Sequence, residues 1–144
     1  MNVELDVRTY LVGSGASVSS CSASFTFVGP TRKVGGSIRP EAVFVRSYGG
    51  LAPNGFQDGR GQTHRATDVQ VRVRGAVNSY VATRERAEAV WNSLNRTQAL
   101  LDAVSSTVDY YRVEPLQSSP IYIGQDDQEH DEFVVNVRVY SLSG

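Results

Sequence analysis

The sequence predicts an α+β fold: a single antiparallel or mixed β-sheet with helices packed on one face. Three stretches predict it. Residues 67–74 alternate strictly, with Val69, Val71 and Val73 set against Gln70, Arg72 and Arg74; this is the period of a half-buried strand. Residues 133–142 do the same, Phe133, Val135, Val137 and Val139 opposing Val134, Asn136, Arg138 and Tyr140. Residues 79–95 instead place Tyr80, Ala87, Val90, Trp91 and Leu94 on one face of a helix, with Arg84, Glu85, Arg86 and Glu88 mostly away from it. No repeat and no linker divides the chain, so residues 1–144 are expected to form one domain.

The remaining elements follow in order. Residues 2–12 fit two patterns. Val3, Val7, Tyr10 and Leu11 make a helical stripe, while Val3, Leu5, Val7, Thr9 and Leu11 alternate as in a strand. Gly13-Ser14-Gly15-Ala16 breaks whichever element forms. Residues 24–28 read as a short strand, residues 31–40 as a loop, and residues 41–48 as a strand around Val43, Phe44 and Val45. Residues 49–65, with Gly49, Gly50, Pro53, Gly55, Gly59 and Gly61, form the longest irregular stretch, and loops of that length are often functional. Gly75 is expected to end the strand at residues 67–74. Asn78 or Ser79 is placed to cap the helix, and Arg84 and Glu88 have helical i,i+4 spacing. Residues 97–104 read as a second short helix or turn, and residues 108–116 as a strand. Residues 124–132 read as a polar hairpin loop before the last strand.

Composition excludes several classes. A chain of 144 residues can bury roughly 68–70% of its unfolded surface and needs no staples. Net charge is −1, without the basic excess of a free-standing nucleic-acid binder. Of 14 basic residues only Lys33 is lysine, and arginine suits protein interfaces, although a GC-rich genome yields the same bias. Cys21 is the single cysteine, so no internal disulfide is expected, in keeping with the cytosol. No run approaches the ~20 apolar residues of a membrane span. Met1-Asn2-Val3-Glu4 lacks a basic region followed by an apolar one, so no secretory signal is expected.

The run Val43-Phe44-Val45-Arg46-Ser47-Tyr48-Gly49-Gly50, a Pro/Gly loop and Val69-Gln70-Val71-Arg72-Val73-Arg74-Gly75 together resemble the core of phage tail terminator proteins. The helix Tyr80…Arg84…Ala87-Glu88…Val90-Trp91…Leu94 extends the resemblance. So do Tyr111-Arg112…Pro115-Leu116-Gln117…Pro120…Tyr122-Ile123-Gly124-Gln125-Asp126 and the closing Phe133-Val134-Val135-Asn136-Val137-Arg138-Val139. The match covers about residues 41–142 and rests on joint order. It favours a helix for residues 2–12. It implies a structural virion protein of a long non-contractile phage tail, assembled in the host cytoplasm. Such a protein forms a hexameric ring at the head-proximal end, stops growth of the tail tube and joins it to the head-completion (stopper) protein of the neck. The implied partners are further copies of the chain, the major tail tube protein, the head-completion protein, and double-stranded DNA only in transit through the lumen.

A closed ring needs two different, complementary patches on each subunit. Arg72 and Arg74 on one strand face, and the acidic run with Asp126, Asp127, Glu129 and Asp131, are opposite in sign and are candidate contacts between subunits. A solvated strand face and a solvated turn are the plain alternative. Capping a tube also needs an axial docking surface. The candidate is the 49–65 loop, through Gly49, Gly50, Asn54, Phe56, Asp58 and Arg60, with Phe56 the kind of anchor that interfaces favour.

No catalytic set is visible, and the chain is not expected to be an enzyme. Gly13-Ser14-Gly15 and Gly59-Arg60-Gly61 are too incomplete for a dinucleotide or phosphate loop, and no Gly-x-Ser-x-Gly elbow occurs. His64 and His130 lie in different loops. His130 among Asp126, Asp127, Asp131 and Glu132 lacks the spacing of a calcium loop. Cys21 has no nearby base, and Trp91 belongs to a helix's apolar face. No cofactor or metal is expected. The competing readings are another head-tail connector component, such as a stopper or adaptor, and a small α+β binding module or hydrolase, which would need a convergent polar site.

Overall fold

The computed structural model describes residues 3–12, 26–29, 41–55, 63–95, 109–126 and 129–143. They form two helices and one six-stranded mixed sheet. In chain order these are α1 (Val3–Val12), β1 (Thr26–Val28), β2 (Ala42–Gly55), β3 (Thr63–Val77), α2 (Tyr80–Leu94), β4 (Asp109–Pro115), β5 (Ile121–Gln125) and β6 (His130–Ser143). The strand order is β1-β2-β3-β6-β4, with β5 also on β6. β1 runs parallel to β2, and every other pairing is antiparallel.

Both helices pack on the same sheet face. That face carries Val43 and Val45 of β2, Val69, Val71 and Val73 of β3, and Phe133, Val135, Val137 and Val139 of β6. Onto it α1 lays Val3, Val7, Tyr10 and Leu11, and α2 lays Thr83, Ala87, Val90 and Leu94, each a stripe at helical spacing. Each fully buried valine stabilises the fold by about 1.5–3 kcal/mol. Gly75 lets α2 approach β3, because a Cβ there would fall 1.7 Å from Thr83 Oγ1.

β3 pairs with β6 along almost its whole length, from Thr63↔Ser143 to Val77↔His130. β4 and β5 therefore share the other edge of β6, lying end to end: β4 meets residues 137–142 and β5 residues 131–134. Gln117 bridges the break. Asn136 donates its backbone N–H to Gln117 Oε1 at 3.1 Å, Leu116 N–H donates to the Asn136 carbonyl at 2.9 Å, and Trp91 Nε1 donates to the Gln117 carbonyl at 2.9 Å.

Several sequence expectations change here. Residues 49–55 and 63–65 are not irregular; they are the outer arms of β2 and β3, paired from Gly49↔Asp68 to Gly55↔Thr63. At Gly50, with φ +140°, a Cβ would lie 2.0 Å from the Ala66 carbonyl, so the glycine serves close strand pairing. Gly75 does not end β3, which continues to Val77. Residues 124–132 are not one loop: β5 ends at Gln125, β6 begins at His130, and the turn between them is short. Ser79 is the N-cap of α2, but its side chain does not bond a helix N–H; Ser79 Oγ donates to the Ala76 carbonyl at 2.6 Å. Tyr80, expected on the buried face, is 44% exposed at the start of α2. Residues 31–40 and 97–104 lie outside the described residues.

Candidate functional site

The charged residues of the sheet sit on the face turned away from the helices. Register brings Arg74 opposite Glu132, Arg72 opposite Val134, Gln70 opposite Asn136 and Asp68 opposite Arg138. Arg138 grips Asp68 side-on, Nε to Oδ1 at 2.7 Å and Nη2 to Oδ2 at 3.2 Å, a fork geometry that keeps the guanidinium charged. The Asp68 hydrogen bonds raise the Arg138 pKa. Gln70 bonds Asn136 at 3.3 Å, and Glu114 accepts from Arg112 at 3.3 Å and from Tyr140 at 3.0 Å.

Most of the charged residues expected to meet across subunits also have partners within the chain. Arg72 Nη1 lies 3.8 Å from Glu132 Oε2. Arg74 is buried, its guanidinium 5.2 Å above the Phe44 ring. Burial lowers the Arg74 pKa, opposed by the charges of Asp126 and Glu132. Burial likewise raises the Glu132 pKa, against the pull of Arg72 and Arg74. Arg74 therefore does not belong to an exposed row. The physical reason is register: the β3–β6 ladder puts Glu132, the last acid of the run, directly opposite Arg74.

The acidic run is mostly structural. Asp126 caps its own turn, accepting the His130 N–H on Oδ1 at 2.9 Å and holding His130 Nδ1 on Oδ2 at 2.9 Å. Asp131 is buried; its Oδ1 accepts from the Tyr122 hydroxyl at 2.9 Å and from Gln125 Nε2 at 3.3 Å. The bond to Asp131 is the main cause of a raised Tyr122 pKa. Glu129 is exposed, at φ +65°, and its carbonyl accepts the Asn78 N–H at 3.2 Å. Asp127 lies outside the described residues. So do Phe56, Asp58 and Arg60 of the expected docking loop, whereas Gly49, Gly50 and Asn54 of that set belong to β2.

Chemistry is sparse. Among the described residues no three His, Cys, Asp or Glu side chains are grouped to hold a metal ion. His64 Nδ1 is 2.7 Å from the Tyr111 hydroxyl and His130 is held by Asp126. Cys21 lies outside the described residues. A shallow cavity of about 160 Å³ lies between Glu88, Trp91, Asn92, Ser118, Ser119 and Pro120. Its indole N–H is already used by Gln117. No described helix is long and apolar enough to cross a membrane.

What the sequence did not reveal is an apolar corner. Val77, Tyr80, Val81, Ile121, Tyr122 and Ile123 are all between 41% and 68% exposed. Two of them meet: the rings of Tyr80 and Tyr122 are 4.9 Å apart and both lie against Phe133, while Ile121 pairs with Val134 and so lies on the other face of the sheet. The signal was present as Ile121-Tyr122-Ile123 between Pro120 and Gly124, a β-branched and aromatic run bounded by breakers.

No protein-family model and no curated protein matches the chain. The functional reading therefore rests on its own residues and on the resemblance of motif order. Among the described residues, Val81 is the most exposed of the large apolar side chains, at 68%. Contiguous exposed apolar surface on a sheet edge marks interaction sites.

Proposed function

We propose that this chain is a structural subunit that assembles into a ring, acting as a tail terminator of a long non-contractile phage tail. In this reading the ring caps the tail tube, ends its growth, joins it to the head-completion protein and lets double-stranded DNA pass. The observation that carries the reading is the contrast between surfaces. Among the described residues many charged side chains of the sheet are paired within the chain, while Val77, Tyr80, Val81 and Ile121–Ile123, at the start of α2 and along β5, are left exposed. That division suits an assembly subunit better than an enzyme, which needs converging polar groups in a pocket. The resemblance supports the same reading, because residues 43–50, 69–75, 80–94, 111–126 and 133–139 follow the order of β2, β3, α2, β4–β5 and β6.

Purified protein mixed with phage tail tubes and imaged by negative stain tests it. The expected result is rings seated at one end of each tube, with tube elongation stopped by the same protein. Long tubes made of this chain alone would make it a tube protein. A failure to arrest tubes, together with rings that join capsid portals, would make it an adaptor or stopper.

A further inference from the structure

The shallow cavity of about 160 Å³ lies between α2 and the connection from β4 to β5. We infer that it is a receptor for a guanidinium group, the head of an arginine side chain presented by another polypeptide. The inference is independent of the ring reading.

The first argument is construction. Glu88, Trp91 and Asn92 stand at i, i+3 and i+4 of α2, so they share one helix face. The other described lining residues, Ser118, Ser119 and Pro120, belong to the connection before β5. Both sides are held in place. Trp91 packs against the core and gives its indole N–H to the Gln117 carbonyl at 2.9 Å, which fixes the ring. The Leu116 N–H and Gln117 Oε1 tie the connection to the Asn136 backbone at 2.9 and 3.1 Å. Groups fixed before binding lose little freedom when a ligand arrives.

The second argument is chemistry. Among the described lining residues Glu88 is the one that carries charge, and it stands one helical turn from the indole. A carboxylate beside a tryptophan suits a cation. Guanidinium suits it best, being planar, weakly hydrated and able to stack on aromatic rings. The Asn92 amide and the Ser118 and Ser119 hydroxyls add acceptors for its N–H donors. Glu88 is held only loosely by its partner within the chain. Arg84 Nε lies 3.4 Å from Glu88 Oε1, the two side chains are 57% and 46% exposed, and arginine before glutamate is the weaker i,i+4 order. A guanidinium arriving against Trp91 can therefore take Glu88 from Arg84.

The third argument is size. Pockets that enclose a whole small molecule measure roughly 300–1,000 Å³, and this cavity is smaller. It holds a side-chain head but does not surround a free metabolite. That favours an arginine carried on a polypeptide, whose main chain stays outside. A free arginine would also bring its own carboxylate toward Glu88, a like-charge approach.

Trp91 is the single tryptophan, so its fluorescence reports the cavity directly. N-acetyl-arginine amide is expected to change that emission saturably, with a Kd on the order of 1 mM. Propylammonium chloride and glucose, at matched ionic strength, are expected to bind about tenfold more weakly. Glu88→Gln is expected to weaken binding of the blocked arginine about tenfold, and Arg84→Gln to strengthen it about twofold by removing the competing cation. A merely structural role for these residues would not move the affinity in opposite directions. Amide shifts at Asn92, Ser118 and Ser119 on titration are expected to locate the ligand. Emission that falls linearly with concentration, an unchanged affinity in Glu88→Gln, or shifts confined to other residues overturns the inference. An equal response to propylammonium, or a stronger one to glucose, overturns the guanidinium assignment. Tighter binding of free arginine than of the blocked amide overturns the polypeptide source.

Discussion

At Gly75 the requirement is space. Besides Thr83 Oγ1, an added Cβ would come within 2.7 Å of Ser79 Oγ and 2.9 Å of Thr83 Cβ. Gly75→Ala is expected to push α2 off the sheet at a cost of about 1–3 kcal/mol, seen as a lower urea midpoint with an unchanged slope. An unaltered midpoint would mean that the start of α2 shifts freely. Glu132 poses a different problem, a carboxylate buried beside Arg72 and Arg74. Burial raises its native pKa above the unfolded value. The native state then holds the proton to higher pH than the unfolded chain does. Its contribution is full below the unfolded pKa and is lost as pH rises through the raised native one. Wild type should therefore lose stability relative to Glu132→Gln as pH climbs from the ordinary carboxylate range toward neutrality. Urea titrations across that range check it, and parallel stability curves for the two proteins would show that Glu132 is effectively solvated.

α1 is held to the sheet by polar ties as well as by its apolar stripe. Glu4 Oε1 accepts the Ser47 N–H at 2.8 Å, Arg8 Nε donates to the Thr26 carbonyl at 2.8 Å, and the Tyr110 hydroxyl donates to Asp6 Oδ2. Burial, reinforced by that Asp6 bond, raises the Tyr110 pKa. Tyr110→Phe should cost about 1–3 kcal/mol, and amide exchange should quicken in α1 while β3 and β6 stay protected. Equal quickening everywhere would mean that α1 has no local stability of its own. The sequence held α1 only as one of two periodicities, since ten residues with four buried positions fit both. β3, β6 and α2 were legible because apolar residues recur at the period of a strand or a helix in each. β5 was not, because its exposed Ile-Tyr-Ile run shows no alternation. The outer arms of β2 and β3 were hidden for another reason: a backbone ladder can form through glycines that carry no pattern at all. The charged candidates were legible as charges but not as partners, because which acid faces which arginine depends on register, and register is set by the whole β3–β6 ladder.

Among the described residues, the groups that hold the fold together are distinct from the exposed apolar side chains. The valine floor and the two helices make the core, and the opposite face is tied by Asp68–Arg138, Arg72–Glu132 and Gln70–Asn136. None of these uses Val81 or Ile121, which are 68% and 44% exposed. Charging both should therefore leave the fold intact, since surface substitutions away from packed or bonded groups fall within about 0.5 kcal/mol. The same change places desolvated charges in any contact that covers the start of α2 or the exposed edge at β5, which is costly unless the partner pairs them. Val81→Glu with Ile121→Lys is thus expected to melt with wild type yet sediment as a monomer wherever wild type self-associates. The opposite sign on the two sites keeps net charge at the wild-type value of −1, so a lost oligomer would report the surface rather than general repulsion. A melting temperature that falls in step with the oligomer would show instead that the corner belongs to the core, and that folding and assembly are not separable in this chain.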